Sequence, residues 1–532
     1  MTKRFLAIVT VLMLALTSVV AFAEADTTET ASVDWTEPYA EPVEVHICIE
    51  EPGSAVFAEG EDYSNNLWTK RWKELYNIDV IVDWVSNEYD TKMNLSIASN
   101  TLPDIYKVNA VQFSQLKQAG ALQDLTETYN TYASDSIKNM MENNWDIVET
   151  AMEGDQILAM PRLHYGYECE TTQIWARSDW MEQSGVTEFT SVDDVVNVMK
   201  GFQENNSASY GIMLDKSLDC FFRSAVMFHA LPKIWVEGED GSLVYGSVQP
   251  EMKEALSTWA QWYQDGLIRQ DFGTLDNAAM LEDAYNGKAG LYFSGNWAGW
   301  SVGRDMVNNQ GDGSYFIAYD VPSVDGEKAM MPVQFNNFAY HVVSAGYEHP
   351  EILLKLTDDY CYVLNDSITE GGMTLEEVIP FNSNEMHHIT GPFKVEIASY
   401  TDCMDVYNAF QTGEENFHSG YGNIYYNEAK LWTENGDTTG LGRYLQMGIP
   451  NGGMVIGCKH VDNEQIQKDA MWGLKPQTVL DYGSTLDDLL VEGFTQIIMG
   501  VESVDYFDTL VENWKMAGGD QVTQAVNEMY GA

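Results

Sequence analysis

The chain has 532 residues, with 28 Lys plus Arg against 81 Asp plus Glu and a formal net charge of -53. A polyanion of this kind is repelled by phosphate backbones and anionic lipid surfaces, so nucleic-acid binding is not expected. The 45% hydrophobic content requires a folded protein, and the length exceeds what one compact core holds, so two or more domains are expected.

Met1-Thr2-Lys3-Arg4 is a basic start, Phe5 to Val20 is an almost unbroken apolar run, and Ala21-Phe22-Ala23 is a small-x-small cleavage site. Residues 1–23 therefore read as a cleaved signal peptide, too short for a stable span. No Cys ends the apolar run, so a secreted chain without a lipid anchor is expected. Residues 24–42 are acidic, Thr-rich and broken by Pro38 and Pro42, which predicts a disordered leader. Val43 to Ile49 alternates as a strand, Leu67 to Tyr76 follows as a helix, and Val80 to Val85 is a second β-branched run. That order predicts a βαβ unit and a parallel sheet. Ser191 opens a helix with a capping-box-like start, whose Val192, Val195, Val196, Met199 and Phe202 share one face. Pro250 stands at the first position of another helix, which Gly266 closes after Trp259 and Trp262. Ala289 to Phe293 and Phe338 to Val343 read as buried strands, and the last hundred residues are mainly helical. Leu486, Leu489, Leu490, Ile497 and Ile498 line one of these helices; Phe507, Leu510, Val511 and Trp514 line the next. The class is α/β.

Six cysteines, Cys48, Cys169, Cys220, Cys361, Cys403 and Cys458, stand far apart, and the sequence selects no pairing. They form no C-x-x-C motif, the nine histidines form no H-E-x-x-H, and no cofactor or metal is called for.

Several segments resemble the extracellular solute-binding proteins of bacterial ABC sugar importers, in that family's order. Leu95 to Ile105, with Leu102-Pro103-Asp104-Ile105, is similar to the "ASG-x-x-PD" loop and strand. Gly120 to Leu125 resembles "G-x-L-x-D-L", Gly154 to Pro161 the "dG-k-x-Y-g-h-P" strand, and Arg177-Ser178-Asp179-Trp180-Met181 the "R-x-D-W-L" helix start. Tyr285 to Trp297, with Gly287-Lys288-Ala289 and Gly295-Asn296-Trp297, is similar to "GKAAM" and "G-x-W" and is the most specific match. Met516 to Tyr530 resembles the C-terminus of the long oligosaccharide-binding branch. Members of that branch often carry an acidic calcium loop after the "DW-L" helix. Here residues 203–211 hold one carboxylate, too few for the several anionic oxygens calcium prefers, so no ion is expected there.

The resemblance implies a two-lobed periplasmic-binding-protein-like fold with a hinge and an interlobe cleft. Its expected division is residues 43–162 and 338–380 in lobe 1, and 163–337 and 381–532 in lobe 2. The implied partners are a carbohydrate ligand and the permease subunits of an ABC transporter, and the protein is expected to be a monomer. A sugar site needs a flat aromatic platform beside fixed polar groups. Trp297 is the implied stacking residue, with Asn296 and Trp300 beside it on a loop after a buried strand. Arg162 and Tyr165 lie where the family's chain crosses between lobes, and Arg162 suits a uronate carboxylate. Phe335, Asn336 and Asn337 precede the second crossing, and Ser99 and Asn100 come from the first-lobe loop. Two other readings stay open at this point. A secreted glycosidase needs only a pair of carboxylates, which 81 acidic residues could supply; a glycan-binding adhesin needs no catalytic motif at all.

Overall fold

The computed structural model describes residues 37–53, 55–162, 166–310, 314–335, 339–382, 386–395 and 399–531. The expected signal segment 1–23 and residues 24–36 of the expected leader lie outside them.

The chain opens with β1 (Val43–Glu50), α1 (Leu67–Tyr76) and β2 (Ile78–Ser86), and β1 pairs β2 in parallel. The predicted βαβ unit is therefore present. Asn66 caps α1 by accepting from the backbone of Trp68 and Thr69, and Asn77 ends it in the left-handed conformation. α2 (Tyr89–Ser99) leads to β3 (Ile105–Val108), whose approach to β1 is tied by the Asp104 N–H donating to the His46 carbonyl at 3.0 Å. β4 (Met160–Arg162) and, much later, β11 (Ala339–Val343) complete this half, in the order β3-β11-β4 with both pairings antiparallel.

The second half is built from β5 (Gln173–Arg177), α3 (Val192–Asn206), α4 (Asp219–Ser224), the hairpin β6 (Trp235–Glu237) and β7 (Leu243–Tyr245), α5 (Glu251–Gln264), β8 (Leu291–Ser294) and β9 (Phe316–Tyr319). β5 is central, antiparallel to both β8 and β9. Ser191 caps α3 with Asp194 in a complete capping box, and Val195, Met199 and Phe202 are buried on the predicted face. Pro250 sits one place earlier than predicted, as the residue before α5, and Gly266 at φ +73° ends the segment where a left-handed residue is needed.

The expectation of one parallel sheet is corrected. Parallel pairing is found in β1–β2 and in the pair β10 (Met331–Val333) with β12 (Ile466–Lys468), while both three-stranded sheets are antiparallel. β11 starts where β3 and β4 end, so it runs back across the sheet and must oppose them.

One apolar cluster joins Val45, Ile47, Trp68, Trp72, Ile105 and Met160 to Val343, Leu353, Tyr360 and Phe381. It continues to Ile389, Phe393 and Val395, beyond the expected boundary at residue 380, because the chain there still covers the sheet on which β1 lies. A larger cluster joins Ile174, Trp175, Phe202, Trp259 and Phe293 to α7 (Gln477–Ile498) and α8 (Tyr506–Trp514) through Leu490, Ile497, Leu510 and Trp514. A smaller one holds Cys169, Cys403 and Cys458 with Val406 and Met447. All six cysteines are buried and unbridged. α6 (Glu351–Cys361) docks α1 through Asp359, which accepts from Arg71 Nη2 at 2.8 Å, Trp72 Nε1 at 3.0 Å and the Tyr76 hydroxyl at 3.0 Å. Among the described residues no helix is long and apolar enough to cross a membrane.

Candidate functional site

β8 delivers the loop on which sequence reasoning placed the platform. The loop is pinned from beneath: Trp175 Nε1 donates to the Gly295 carbonyl at 3.1 Å. Asn296 Nδ2 donates to the Cys169 carbonyl at 3.0 Å, and its Oδ1 accepts from Gln446 Nε2 at 2.7 Å. Asn296 is thus buried, with its amide held inside the second half. Trp297 is turned outward and 44% exposed. Its ring lies so close to Gly295 that a Cβ there would stand 2.3 Å from Cζ3, so only glycine lets the indole lie down on the backbone. The Arg223 guanidinium sits 4.8 Å from the Trp297 ring centroid and is held by Asp219 at 2.8 Å. Both belong to α4, which follows Ile212, a residue bridged in parallel to Leu291 of β8. Trp297, Asp219 and Arg223 therefore lie outside the carboxyl ends of neighbouring parallel segments, where α/β sheets place ligands. Trp300 is only partly buried but packs inward, against Gly442, with Arg304 and Arg443 at 5.3 and 5.4 Å.

In the first half, the carboxyl ends of β1, β3 and β4 meet at a depression of about 280 Å³ lined by Glu50, Glu51, Lys107, Arg162, His388 and Lys394, among others. Lys107 pairs with Glu50 and lies 4.7 Å from the Tyr89 ring centroid. Lys394 Nζ is 3.0 Å from His388 Nδ1. Gly391, at φ +62°, turns this last segment onto the Cys48 carbonyl. Carboxylates beside ammonium and guanidinium groups can accept from and donate to the hydroxyls of one sugar.

Ser99 and Asn100 are not brought to this ledge. Asn100 is the left-handed cap of α2, and Ser99 Oγ donates to the Leu95 carbonyl at 2.7 Å. The loop they begin feeds the amino end of β3, at the edge of the sheet opposite Glu50, Lys107 and Arg162. Sequence reasoning missed Glu50, Lys107, Lys394, Asp219 and Arg223. The signal for the first two was available: they lie at the carboxyl ends of β1 and β3.

A third group lies beside the β10–β12 pair. Phe335 meets Trp472 edge-on at 5.2 Å, and Trp472 meets Tyr167 at 6.1 Å. Lys468 Nζ lies 4.5 and 4.8 Å from the Tyr167 and Trp472 centroids and pairs with Asp146 at 3.1 Å. That ion pair ties β12 to Asp146 of the first half. Tyr165, Asn336 and Asn337 lie outside the described residues. Among the described residues no group of three or more His, Cys, Asp or Glu is placed to hold a metal ion.

The family model for bacterial extracellular solute-binding proteins matches residues 57–356, more than half of the chain. The chain belongs to that family. Over 482 residues it is 21% identical to the lipoprotein LipO of Bacillus subtilis, covering 85% of this chain and 86% of that one. Its fold is similar to an HMO-binding, ABC-transporter-associated solute-binding protein of Bifidobacterium longum infantis. There the TM-score is 0.61 at 13% identity, over 92% of this chain and 98% of the other. It is also similar to the substrate-binding protein FusA of S. pneumoniae in complex with kestose, with a TM-score of 0.58 at 14% identity over 92% and 98% of the two chains. The fold is thus of the periplasmic-binding-protein kind. The family and these neighbours are binding proteins of ABC transporters, not enzymes, and the chain is a binding protein.

Proposed function

We propose that this chain is exported, captures an oligosaccharide between two lobes, and delivers it to the permease of an ABC importer. The first lobe is residues 43–162 with 339–395, and the second is 166–335 with 399–531. The last boundary is set after Val395 because Ile389, Phe393 and Val395 pack in the first-lobe cluster, which Tyr421 and Ile424 also join. The observation that carries the reading is Trp297: a large aromatic, 44% exposed, fixed on a glycine at the end of a strand with a guanidinium at its ring. Such a ring offers a flat face to the C–H side of a pyranose. The ledge of Glu50, Lys107 and Arg162 supplies the hydroxyl and carboxylate contacts from the other lobe. The carbohydrates bound by the Bifidobacterium and Streptococcus neighbours favour a glycan over other solutes. A ligand touching both lobes stabilises the closed arrangement, whereas one touching a single lobe shifts nothing.

A thermal-shift screen of the chain without residues 1–23, against plant and host oligosaccharides, tests the reading. At least one glycan raises the melting temperature, because binding the native state stabilises it by mass action. The same glycan is recovered intact after prolonged incubation. Cleavage by the pure protein would overturn the reading.

A further inference from the structure

The six cysteines are spread unevenly through the interior. Cys48, Cys220 and Cys361 each lie in a different apolar cluster, and no other cysteine shares it. Two of these thiols are engaged. Cys48 Sγ is 3.0 Å from the Tyr89 hydroxyl, and Cys220 Sγ accepts the Phe293 N–H at 3.3 Å. The smaller cluster instead gathers Cys169, Cys403 and Cys458. A chain exported as proposed above meets an oxidising environment, where neighbouring thiols bridge.

Cys403 lies on the helix Ser399–Thr412, the first element of the second lobe after the last crossing, and Cys458 on the helix Gly453–Asp462. One bond fixes the register of the two helices: the Tyr400 hydroxyl donates to Asp462 Oδ1 at 2.7 Å. Cys403 stands three residues after Tyr400 and Cys458 four before Asp462, so each thiol is one turn from that bond on the same face. Val406 and Val455, one turn further along each helix, belong to the same cluster. The helices therefore run antiparallel, with Cys403 facing Cys458.

Both cysteines are wholly buried, and the Cys403 thiol is hydrogen-bonded to that of Cys458. Two thiols at that reach need only a small approach to bond. Gly457 holds the second helix in place, because a Cβ there would stand 2.1 Å from the Glu168 carbonyl oxygen. Cys169 is turned toward another group, its Sγ donating to Glu168 Oε1 at 4.0 Å. Burial, and then the bond to Cys458, hold the Cys403 thiol well above its ordinary range. Its thiolate is thus suppressed once the fold is complete, and bridging belongs to the folding chain.

We propose that Cys403 and Cys458 form a disulfide that staples the entrance helix of the second lobe to the helix Gly453–Asp462, with a small-molecule disulfide as the oxidant. One cysteine thiolate attacks the S–S bond of the oxidant and expels a small thiolate, leaving a mixed disulfide. The other cysteine thiolate then attacks the protein sulfur of that mixed disulfide and expels the second small thiolate. The chain loses two protons and two electrons, and the oxidant leaves as two thiols. The bridge closes a loop containing the helix Gly420–Asn435, whose Tyr421 and Ile424 pack in the first-lobe cluster. It restricts the unfolded chain in a stretch that both lobes share.

Peptide mapping of the mature chain tests this. The protein is unfolded with reductant, refolded in mixed reduced and oxidised glutathione, and alkylated in denaturant. The expected product carries a cross-linked peptide joining Cys403 to Cys458, with Cys48, Cys169, Cys220 and Cys361 alkylated. It melts at least about 4 °C above the same chain refolded under reductant. Cys403→Ala and Cys458→Ala each lose the cross-link and the difference between the two melts. If neither variant folds, the peptide map of the wild-type chain decides alone. The proposal is overturned if all six cysteines are alkylated after oxidative refolding or if Cys169 supplies one end of the cross-link. It is equally overturned if the redox-dependent shift survives in a folded Cys403→Ala variant.

Discussion

Replacing Asp359 by Ala lowers the stability of the first lobe by about 3–5 kcal/mol, the range for removing one partner of a buried ion pair. The Asp359 side chain is 1% exposed and collects donors from three residues of α1: Arg71, Trp72 and Tyr76. Arg71 is itself largely covered, so its guanidinium loses a bidentate acceptor without regaining water. The indole and the phenol lose their acceptor at the same time. α1 carries Trp68 and Trp72, two of the largest fully buried side chains, and both sit in the apolar cluster with Tyr360 and Phe393. The damage is therefore to the docking of an entire helix. Urea unfolding followed by tryptophan fluorescence checks it, and a loss below about 1 kcal/mol would mean that packing alone holds α1 in place.

Trp297→Ala has the largest effect expected on binding. It weakens binding of the stabilising glycan by roughly 1–3 kcal/mol, about fivefold to 150-fold in Kd, and leaves the melting temperature of the free protein close to wild type. Both halves follow from position. The ring is 44% exposed and rests on a glycine and a guanidinium, so its removal opens no core cavity. Isothermal titration beside a thermal melt separates the outcomes. Loss of the cooperative melt would make Trp297 a packing residue and remove the platform from the account.

The elements most legible in the sequence were those with a strong local signal. Val43–Glu50, Leu67–Tyr76 and Ile78–Ser86 lie where alternation and helical spacing put them, and the cap at Ser191 is complete. Local pattern carries these because one face of each is buried. Strand direction was not local. β11 and β5 are antiparallel to their neighbours because the chain crosses and returns, and no window of sequence records the crossing. The rule that ligands sit at the carboxyl ends of strands would also have set aside Ser99 and Asn100, because the loop they begin precedes β3 in the chain and so lies at its amino end. Lys107 and Glu50 were legible by the carboxyl-end rule once β1 and β3 were taken as parallel. Arg223, four residues after Asp219, looks in sequence like an ordinary helical ion pair, and only the fold brings it to Trp297.

The central claim is that the ledge of the first lobe and the platform of the second are two halves of one site. Hydrogen–deuterium exchange with mass spectrometry, on the mature chain with and without its stabilising glycan, tests this most directly. Exchange at ligand-covered backbone slows when the bound state suppresses local opening. The account predicts slowed exchange in peptides spanning both Cys48 to Gly53 and Gly295 to Arg304. Slowing confined to one of them, at saturating glycan, would contradict a site shared between the lobes.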